Sequence, residues 1–269
     1  MITAVDVGAT KTLIAQFKDG TVPINMIKFE TPPIAADFVR LLNRHLETLP
    51  NITVLSIGLP GQLSDDGQTV LYCGNMPWRN VPLKKMLAEE HKCPIYLEND
   101  AAMGGLGEMN AISPIPRLGV YVSMGTGLGT SIIVHGQLLK GLNRSEAGHM
   151  ALRTPDNEWQ EWEDIASGRA IVAKFHKLAK DLDKPEQWQW LAENVVQGLD
   201  PIIATVLPDV IVFGGGVGQY FEMFHGLVAE KLHRRLPKFI VVPQLLSAKH
   251  GDQAVLFGCY HHAIYKQAQ

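Results

Sequence analysis

The order of apolar segments in the chain predicts an α/β fold. Short β-branched runs such as Val54–Leu59 alternate with longer segments such as Ala35–Thr48, in which apolar residues recur every three or four positions. With 269 residues, the chain can form one large domain or two modest ones. The Ser-Pro-Ile-Pro sequence at Ser113–Pro116 interrupts a helical pattern, so we place a domain boundary near Asn110–Arg117.

The individual elements follow from these two patterns. Strands are predicted where short apolar runs lie between turn residues: Ile2–Val7, Thr12–Phe17, Val54–Leu59, Ile95–Glu98, Gly119–Ser123, Thr130–Val134, Val210–Phe213 and Phe239–Val242. Helices are predicted where the three- and four-residue spacing persists: Ala35–Thr48, Pro82–His91, Ala101–Glu108, Ala166–Leu182, Gln187–Val206, Tyr220–Leu236 and Ala254–Tyr265.

Composition and charge exclude several classes of protein. Hydrophobic residues make up 46% of the chain and charged residues 19%, so a substantial core can form. The formal net charge is −3 and no long basic run is present, which argues against nucleic acid as a partner. Cys73, Cys93 and Cys259 are widely spaced, which indicates reduced thiols. Because neither a signal peptide nor a membrane span is recognisable, we expect a cytoplasmic protein with no membrane partner.

The first predicted strand leads into a turn that is suited to phosphate. Asp6 lies near the strand end, and Gly8, Ala9 and Thr10 form the turn before a second strand. Such a turn offers backbone N–H groups and a hydroxyl to a phosphate, beside a carboxylate that can hold a metal ion. A purely structural hairpin turn fits these residues equally well.

A second glycine-rich turn, Gly125–Gly129 (Gly-Thr-Gly-Leu-Gly), also lies between two predicted strands. It lacks the Gly-Lys-Ser/Thr sequence of a P-loop, and no helix follows it as a dinucleotide fingerprint would require. Two such hairpins suggest two halves of a protein that hold one phosphate chain between them. Their similarity also suggests a duplicated unit.

The sequence Glu98-Asn99-Asp100 ends a predicted strand and precedes a helix. Open α/β sheets bind ligands at the carboxyl ends of their strands, so Asp100 is a candidate general base that deprotonates a hydroxyl attacking a phosphoryl group. The structural alternative is that Asp100 is only the N-cap of the following helix.

Two further acidic segments are candidates for binding a polyol. Glu146 and His149 surround a glycine in Glu-Ala-Gly-His, and Glu163 follows at the start of a predicted helix. A lone histidine is more often a hydrogen-bonding group than a zinc ligand. Glu163 can instead be a first-turn acid that complements the helix dipole.

A third glycine-rich segment follows the buried strand Val210–Phe213. Gly214, Gly215 and Gly216 would allow a flat ring to approach the backbone closely, although an ordinary tight turn also uses glycine.

Together, these motifs resemble those of the ROK family (repressor, open reading frame, kinase) of sugar kinases, in the same order and along nearly the whole chain. Ile57–Gly61 is similar to the family's sugar-side Pro-Gly loop, and Asn75–Trp78 to the segment that brings an Asn to the sugar. The resemblance implies sugar binding by Gly61, Asn75, Asn99, Asp100, Glu146, His149 and Glu163, with Asp100 also the catalytic base. It implies phosphate and nucleotide binding by Asp6, Gly8, Thr10, Lys11, Thr12, Gly125, Thr126, Gly127, Gly214, Gly215 and Gly216.

The resemblance further implies a two-domain actin-like ATPase (ribonuclease H-like) fold with an interdomain cleft. The small domain would comprise residues 1–112 plus 252–269, and the large domain residues 113–251. ATP is then the expected co-substrate, with Mg²⁺ held near Asp6 through water because Mg²⁺ dehydrates reluctantly. We also expect a homodimer.

The sequence departs from the family at the zinc site. Many members bind structural zinc through the His149 position and a following CxCGxxGCxE run, but the equivalent Asp156–Glu163 contains no cysteine. We therefore expect no zinc, and Trp159 and Trp162 to replace the metal by packing. This tryptophan-rich segment also resembles polyphosphate-using glucokinases, which leaves polyphosphate as an alternative donor.

The resemblance implies an ATP-dependent hexose kinase that converts glucose to glucose 6-phosphate. N-acetylglucosamine, N-acetylmannosamine and fructose are alternative acceptors because kinases for them share every motif. A non-catalytic sugar sensor would not need Asp100. A repressor needs DNA-binding helices before the first phosphate motif, and five residues precede Asp6, so we do not expect that function.

Overall fold

The computed structural model describes residues 1–142, 144–154 and 157–269. Asp156, the first residue of the segment expected to replace the cysteine run, lies outside the described residues. The chain divides into two compact units: unit 1 comprises Met1–Asn110 and Gln253–Gln269, and unit 2 comprises Ala111–Asp252.

The strands and helices alternate along the chain. The strands are β1 Ile2–Val7, β2 Lys11–Phe17, β3 Ile24–Glu30, β4 Val54–Leu59, β5 Gln62–Leu63, β6 Val70–Tyr72, β7 Arg79–Val81, β8 Ile95–Asn99, β9 Leu118–Met124, β10 Leu128–Val134, β11 Gln137–Leu138, β12 Ala151–Arg153, β13 Trp159–Glu161, β14 Val210–Gly214 and β15 Gln244–Ser247. The α-helices are α1 Ala35–Glu47, α2 Leu83–Ala88, α3 Asp100–Asn110, α4 Trp162–Ala166, α5 Gly168–Phe175, α6 Pro185–Val206, α7 Gly215–Gly218, α8 Phe221–Arg235 and α9 Ala254–Gln267.

Unit 1 is built on a sheet in the order β3-β2-β1-β4-β8. The β1–β2 and β2–β3 pairs are antiparallel, whereas β1–β4 and β4–β8 are parallel. The last helix, α9, returns to this unit and packs on α3 with little space between the backbones. A Cβ at Gly258 would lie 1.8 Å from the Met103 carbonyl oxygen, so only glycine permits this approach.

Unit 2 repeats the same arrangement with the sheet β11-β10-β9-β14-β15. Here too, two antiparallel pairs (β11–β10 and β10–β9) are followed by two parallel pairs (β9–β14 and β14–β15). The turn Gly8–Thr10 in unit 1 and the turn Gly125–Gly127 in unit 2 therefore join equivalent strands. This agrees with the predicted duplication.

Each unit has its own hydrophobic core. In unit 1, Phe38 of α1 and Trp78 are fully enclosed against the sheet residues Val5 and Ile57. In unit 2, Trp162, Phe213 and α6 residues such as Leu191 are buried together. The strands of both sheets are buried on most positions, as expected for sheets covered by helices.

The structure departs from the predicted elements in several places. The predicted strand Phe239–Val242 is wrong, because Phe239 and Val241 are exposed and the strand begins only after Pro243, at Gln244. The predicted helix Ala166–Leu182 is interrupted at Ser167, whose hydroxyl caps α5 by accepting from the Ala170 N–H, and α5 ends at Phe175. The exposed edge strand β3 was not predicted, because its outer residues are polar or solvated.

Over the described ranges, no helix is both long enough and apolar enough to cross a membrane.

Candidate active site

The turn between β1 and β2 is held in shape by Thr31. The Thr31 hydroxyl donates to the Gly8 carbonyl at 2.7 Å, and its N–H donates to the Thr10 carbonyl at 3.1 Å. Thr31 also bonds Thr12, whose buried hydroxyl lies 2.8 Å from the Thr31 hydroxyl. The Thr12 side chain therefore supports the turn from inside, while Thr10 and Lys11 are exposed to solvent. Thr31 carried no recognisable signal in the sequence.

Gly61 follows β4 and contacts the segment that precedes Asn75. Its φ is +94°, and a Cβ there would lie 2.1 Å from the Tyr72 carbonyl oxygen. Only glycine fits this conformation and this contact. The Asn99 side-chain amide donates to the Gly61 carbonyl at 3.1 Å, so the ends of β4 and β8 are joined at this point.

The loop that carries Asn75 is held by Arg79. The Arg79 guanidinium donates to the carbonyls of Cys73, Met76 and Trp78 at 2.9, 3.2 and 2.7 Å. It also lies 3.9 Å from the centre of the Tyr72 ring, a cation–π contact. Asn75 is exposed at the tip of this loop.

Asn99, and not Asp100, caps the helix that follows β8. The Asn99 side-chain oxygen accepts from the Ala102 N–H at 3.0 Å, which is the geometry of an N-cap. One Asp100 oxygen accepts from the adjacent Ala101 N–H at 2.8 Å. The alternative that Asp100 is only an N-cap therefore has no support, since another residue fills that position.

The surroundings of Asp100 favour its protonated form. Burial raises the pKa of its carboxyl group above the usual value, and the hydrogen bond from the Ala101 N–H opposes this only in part. Asp100 is nevertheless partly exposed to solvent. A partly accessible carboxylate with a raised pKa is the kind of group that serves as a general base.

In unit 2, the start of α5 fixes the turn Gly125–Gly127. The N–H groups of Gly168 and Arg169 donate to the carbonyls of Gly125 and Thr126, at 2.8 and 3.1 Å. The Gly125 N–H donates to the Gly127 carbonyl at 3.0 Å. Thr126 is exposed, and no atom lies within 4 Å of the place where a Gly125 Cβ would be. The outer side of the turn is thus open to a ligand.

Glu163 connects this turn to the start of helix α4. One carboxylate oxygen accepts from the Leu128 N–H at 2.8 Å, and the other accepts from the Arg169 guanidinium at 2.7 Å. Gly127 gives the carboxylate room, because a Cβ there would lie 2.2 Å from the first oxygen. Each carboxylate oxygen has a second lone pair, so Glu163 can still accept from a ligand hydroxyl.

The Glu146–His149 segment lies against β10, the strand that begins at Leu128. The Ala147 N–H donates to the Thr130 hydroxyl at 3.1 Å, and a Cβ at Gly148 would lie 2.0 Å from the Leu128 carbonyl oxygen. Unit 2 therefore brings together the turn Gly125–Gly127, Glu163 and the Glu146–His149 segment around the first residues of one strand.

His149 is bonded to Glu161, a residue without any predicted role. The His149 Nδ1 lies 2.6 Å from a Glu161 carboxylate oxygen. This hydrogen bond, with the negative charges of Glu161, Glu163 and Glu146, raises the pKa of His149 above the usual value, against a smaller effect of burial. Only the alternation of acids around Trp162 in Glu-Trp-Glu hinted at Glu161.

Trp162 and Trp159 have different environments. Trp162 is fully buried, donates its indole N–H to the Asn194 carbonyl at 3.0 Å and packs on Gly198, where a Cβ would lie 2.1 Å from the indole ring. Trp159 is 68% exposed. The expectation of packing in place of a metal therefore fits Trp162 and is wrong for Trp159.

Three potential metal ligands meet near His149. Atoms of His149, Glu161 and Glu163 lie within 4.8 Å of one another. Their surroundings favour ion pairs over a bound metal ion. Glu163 already pairs with Arg169, and the raised pKa of His149 favours the protonated ring, which cannot bind a metal through a protonated nitrogen.

The three glycines after β14 differ sharply from one another. A Cβ at Gly214 would lie 2.3 Å from the Tyr121 hydroxyl, and Gly215 has a φ of +77° and contacts the Met124 backbone. Gly216 is exposed, and nothing lies within 4 Å of its would-be Cβ. The first two glycines are thus required by packing, whereas Gly216 faces open space.

Comparison with known proteins agrees with these motifs. The model of the ROK family matches residues 2–266. The chain belongs to the ROK family. Its mixed α/β architecture is the two-domain actin-like ATPase fold of ROK kinases, as the sequence predicts.

Individual relatives of this ROK protein include kinases and regulators. It is 26% identical to a fructokinase from Streptococcus mutans over 90% of this chain and 88% of that one. It is 25% identical to a xylose repressor from Caldicellulosiruptor bescii over 79% of this chain, but it spans only 63% of the repressor. In fold, it resembles a ROK glucokinase from Streptomyces griseus, solved with glucose and AMPPNP, with a TM-score of 0.82, 24% identity and coverage of 96% and 97% of the two chains.

Proposed function

We propose that this ROK protein is an ATP-dependent hexose kinase that transfers the γ-phosphoryl group to a primary sugar hydroxyl. The observation that carries the proposal is the environment of Asp100. Asn99 fills the N-cap position of α3, so the structure has no need of the Asp100 carboxylate there. Burial raises the pKa of that carboxyl while it stays partly accessible, as a general base requires.

In this proposal, Asp100 accepts the proton of the attacking sugar hydroxyl. Glu146, His149 and Glu163 bind other hydroxyls of the sugar, together with Gly61, Asn75 and Asn99. Carboxylates and an imidazole suit a neutral polyol, whereas the carboxylates would repel a triphosphate. The bond between Asn99 and Gly61 supports this assignment for the unit 1 residues, because it places two of them together.

The glycine turns are proposed to bind the nucleotide. The turn of Gly8 and Thr10, with Lys11, and the turn of Gly125, Thr126 and Gly127 present backbone N–H groups and hydroxyls to the phosphates. Gly214, Gly215 and Gly216 form the adenosine side. The open space beside Gly125 and Gly216 supports both assignments.

Mg²⁺ fits the residues of the first turn. Asp6 supplies a hard oxygen donor near the end of β1. The turn that follows is tight, because a Cβ at Gly8 would lie 2.9 Å from the Lys11 carbonyl oxygen. When bound, Mg²⁺ would neutralise charge on the phosphates.

Glucose is the proposed acceptor, and a cytoplasmic homodimer the proposed form of the protein. Fructose is a second candidate, because a relative matched along 88% of its own length is a fructokinase. Glucose is supported by one neighbour of the same fold, which was solved with glucose.

The test is an assay of phosphoryl transfer across a panel of acceptors. Purified protein is given ATP and Mg²⁺ with glucose, fructose, N-acetylglucosamine or N-acetylmannosamine, and ADP release is measured. The panel is repeated with polyphosphate as donor, and the sugar phosphate formed is then measured. We expect the highest kcat/KM with glucose and ATP. Sugar binding by calorimetry without phosphoryl transfer from either donor would instead show a sensor. A higher kcat/KM with an acetamido sugar than with glucose would change the proposed acceptor to an acetamido sugar.

A further inference from the structure

His149, a proposed sugar-binding residue, is hydrogen-bonded to Glu161, which has no assigned role. His149 ends a short 3₁₀ segment, Ala147–His149, and Glu161 ends β13. The Nδ1–Oε2 distance of 2.6 Å is that of a charge-assisted hydrogen bond. The negative charges of Glu146 and Glu163 also raise the pKa of the imidazole.

The pair is not needed to hold the backbone together. The side chains of His149 and Glu161 are 55% and 48% exposed, so solvent screens their attraction and the pair contributes little to folding. The segments that carry His149 and Glu161 are already joined by backbone contacts. The Trp162 backbone N–H donates to the Met150 carbonyl at 2.9 Å, and Ala151 pairs with Glu161 between β12 and β13. What the pair does fix is the orientation of the imidazole ring.

We infer that Glu161 is a positioning residue that orients His149 for the sugar. This inference rests on the proposed function, because the ligand is the sugar hydroxyl. When Nδ1–H donates to Glu161, the orientation of the ring is fixed. Nε2 is then the nitrogen that meets a sugar hydroxyl, as an acceptor when the ring is neutral and as a donor when it is protonated. The carboxylate also makes the ring more basic, as carboxylates that accept from the N–H of metal-ligating histidines do.

The experiment is a double-mutant cycle read by sugar binding. Calorimetry measures glucose and fructose binding to the wild type and to Glu161→Ala, His149→Ala and the double variant. We expect Glu161→Ala to weaken binding about tenfold, the loss of one hydrogen bond. The double variant should bind no more weakly than His149→Ala, because Glu161 acts only through His149.

Conservative and control variants separate orientation from folding. Glu161→Gln keeps an oxygen that accepts from Nδ1–H, so binding should weaken less than in Glu161→Ala. Glu158→Ala removes an exposed acid near the same strand and should bind sugar like the wild type. The KM for ATP should stay unchanged in all of these variants, and thermal unfolding shows whether each is folded.

Nuclear magnetic resonance provides a readout that is independent of catalysis. Two-bond ¹H–¹⁵N correlations of His149, recorded at a pH above its raised pKa so that the ring is neutral, should show the Nδ1–H tautomer in the wild type and its loss in Glu161→Ala. Wild-type sugar affinity in Glu161→Ala, an unchanged tautomer, or a further loss of affinity in the double variant would each overturn the inference. Failure of the proposed function appears differently, as sugar binding without phosphoryl transfer.

Discussion

Units 1 and 2 share a sheet topology but hold their candidate functional groups in different ways. In unit 1, Asn99 bonds the Gly61 carbonyl and the Ala102 N–H, and Asp100 bonds the Ala101 N–H. These are contacts between uncharged backbone groups and short side chains. In unit 2, His149 bonds Glu161, and Glu163 bonds Arg169 as well as the Leu128 N–H, so partly exposed ion pairs help to orient the groups.

The two units also contain histidines that respond to pH in opposite ways. Unit 1 contains His262, a buried histidine whose pKa is lowered to about 4 by burial, so acid favours unfolding. Unit 2 contains His149, whose pKa is raised, so its ion pair with Glu161 is present below that pKa while Glu161 is ionised, and it is lost as the pH rises through the raised pKa. His262 is therefore an acid-sensitive group of unit 1, and the His149–Glu161 pair is a base-sensitive contact of unit 2.

The largest expected effect comes from Asp100, in the group held by backbone contacts. Asp100→Asn should lower kcat by about 10²–10⁴-fold, the span expected when a general base is lost, with little change in the sugar KM. Because the carboxyl must be ionised, wild-type kcat should rise with pH through its raised pKa. Asp181→Asn, which alters an exposed carboxylate, is the control. Near-normal turnover of Asp100→Asn would remove Asp100 from the mechanism.

The next effect concerns Glu163, in the group held by ion pairs. Glu163→Ala should raise the sugar KM by about 10- to 150-fold, since a hydrogen bond to a charged group contributes roughly 1.5–3 kcal/mol. The ATP KM should change less, although the turn Gly125–Gly127 loses the Leu128 N–H contact. Asp164→Ala removes the neighbouring exposed acid as a control. A larger change in the ATP KM than in the sugar KM would contradict the assignment.

Gly215 and Gly216 offer a matched pair that separates folding from nucleotide binding. Gly215→Ala should lower the thermal stability, because the residue has φ of +77° and contacts the Met124 backbone. Gly216→Ala should keep wild-type stability, since its Cβ meets open space, yet raise the ATP KM about tenfold by obstructing a ring. An unchanged ATP KM for Gly216→Ala would mean that the segment is an ordinary turn.

The smallest effect is the pH dependence of unit 1. His262 is buried with its Nδ1 unbonded within the described residues, and its ring lies edge-on to Tyr96. Because the unfolded chain takes up a proton near the ordinary pKa and the folded chain only near about 4, stability falls as the pH drops between them. From pH 7.5 to pH 6, the loss should be about 1 kcal/mol, or a few degrees in Tm.

His262→Phe keeps a ring but removes the titration, so its Tm should depend less on pH over this range. His233→Gln, on the exposed surface of α8, should leave the wild-type dependence unchanged. Equal slopes of Tm against pH for the wild type and His262→Phe would show that His262 is not the acid-sensitive group.

Local patterns in the sequence predicted most of the fold. The hairpins around Gly8 and Gly125 and the helix beginning at Ala35 are present, because β-branched runs and amphipathic spacing act over a few residues. The prediction of a strand at Phe239–Val242 was wrong, because a short apolar run between prolines has the same local pattern whether or not it pairs with a neighbouring strand. Pairing depends on a distant partner, β14, which pairs with Gln244–Ser247 and not with Phe239–Val242.

The sequence alone determined which residue types lie in the turns and in the acidic motifs, since these are contiguous and ordered along the chain. Only the tertiary structure decided which groups hold them. Thr31 fixes the Gly8 turn, Arg79 holds the Asn75 loop, and Glu161 orients His149. The physical reason is that each of these hydrogen bonds depends on how the chain folds back on itself, within the Asn75 loop for Arg79 and between separate segments for Thr31 and Glu161, and the spacing of residue types does not specify the partner.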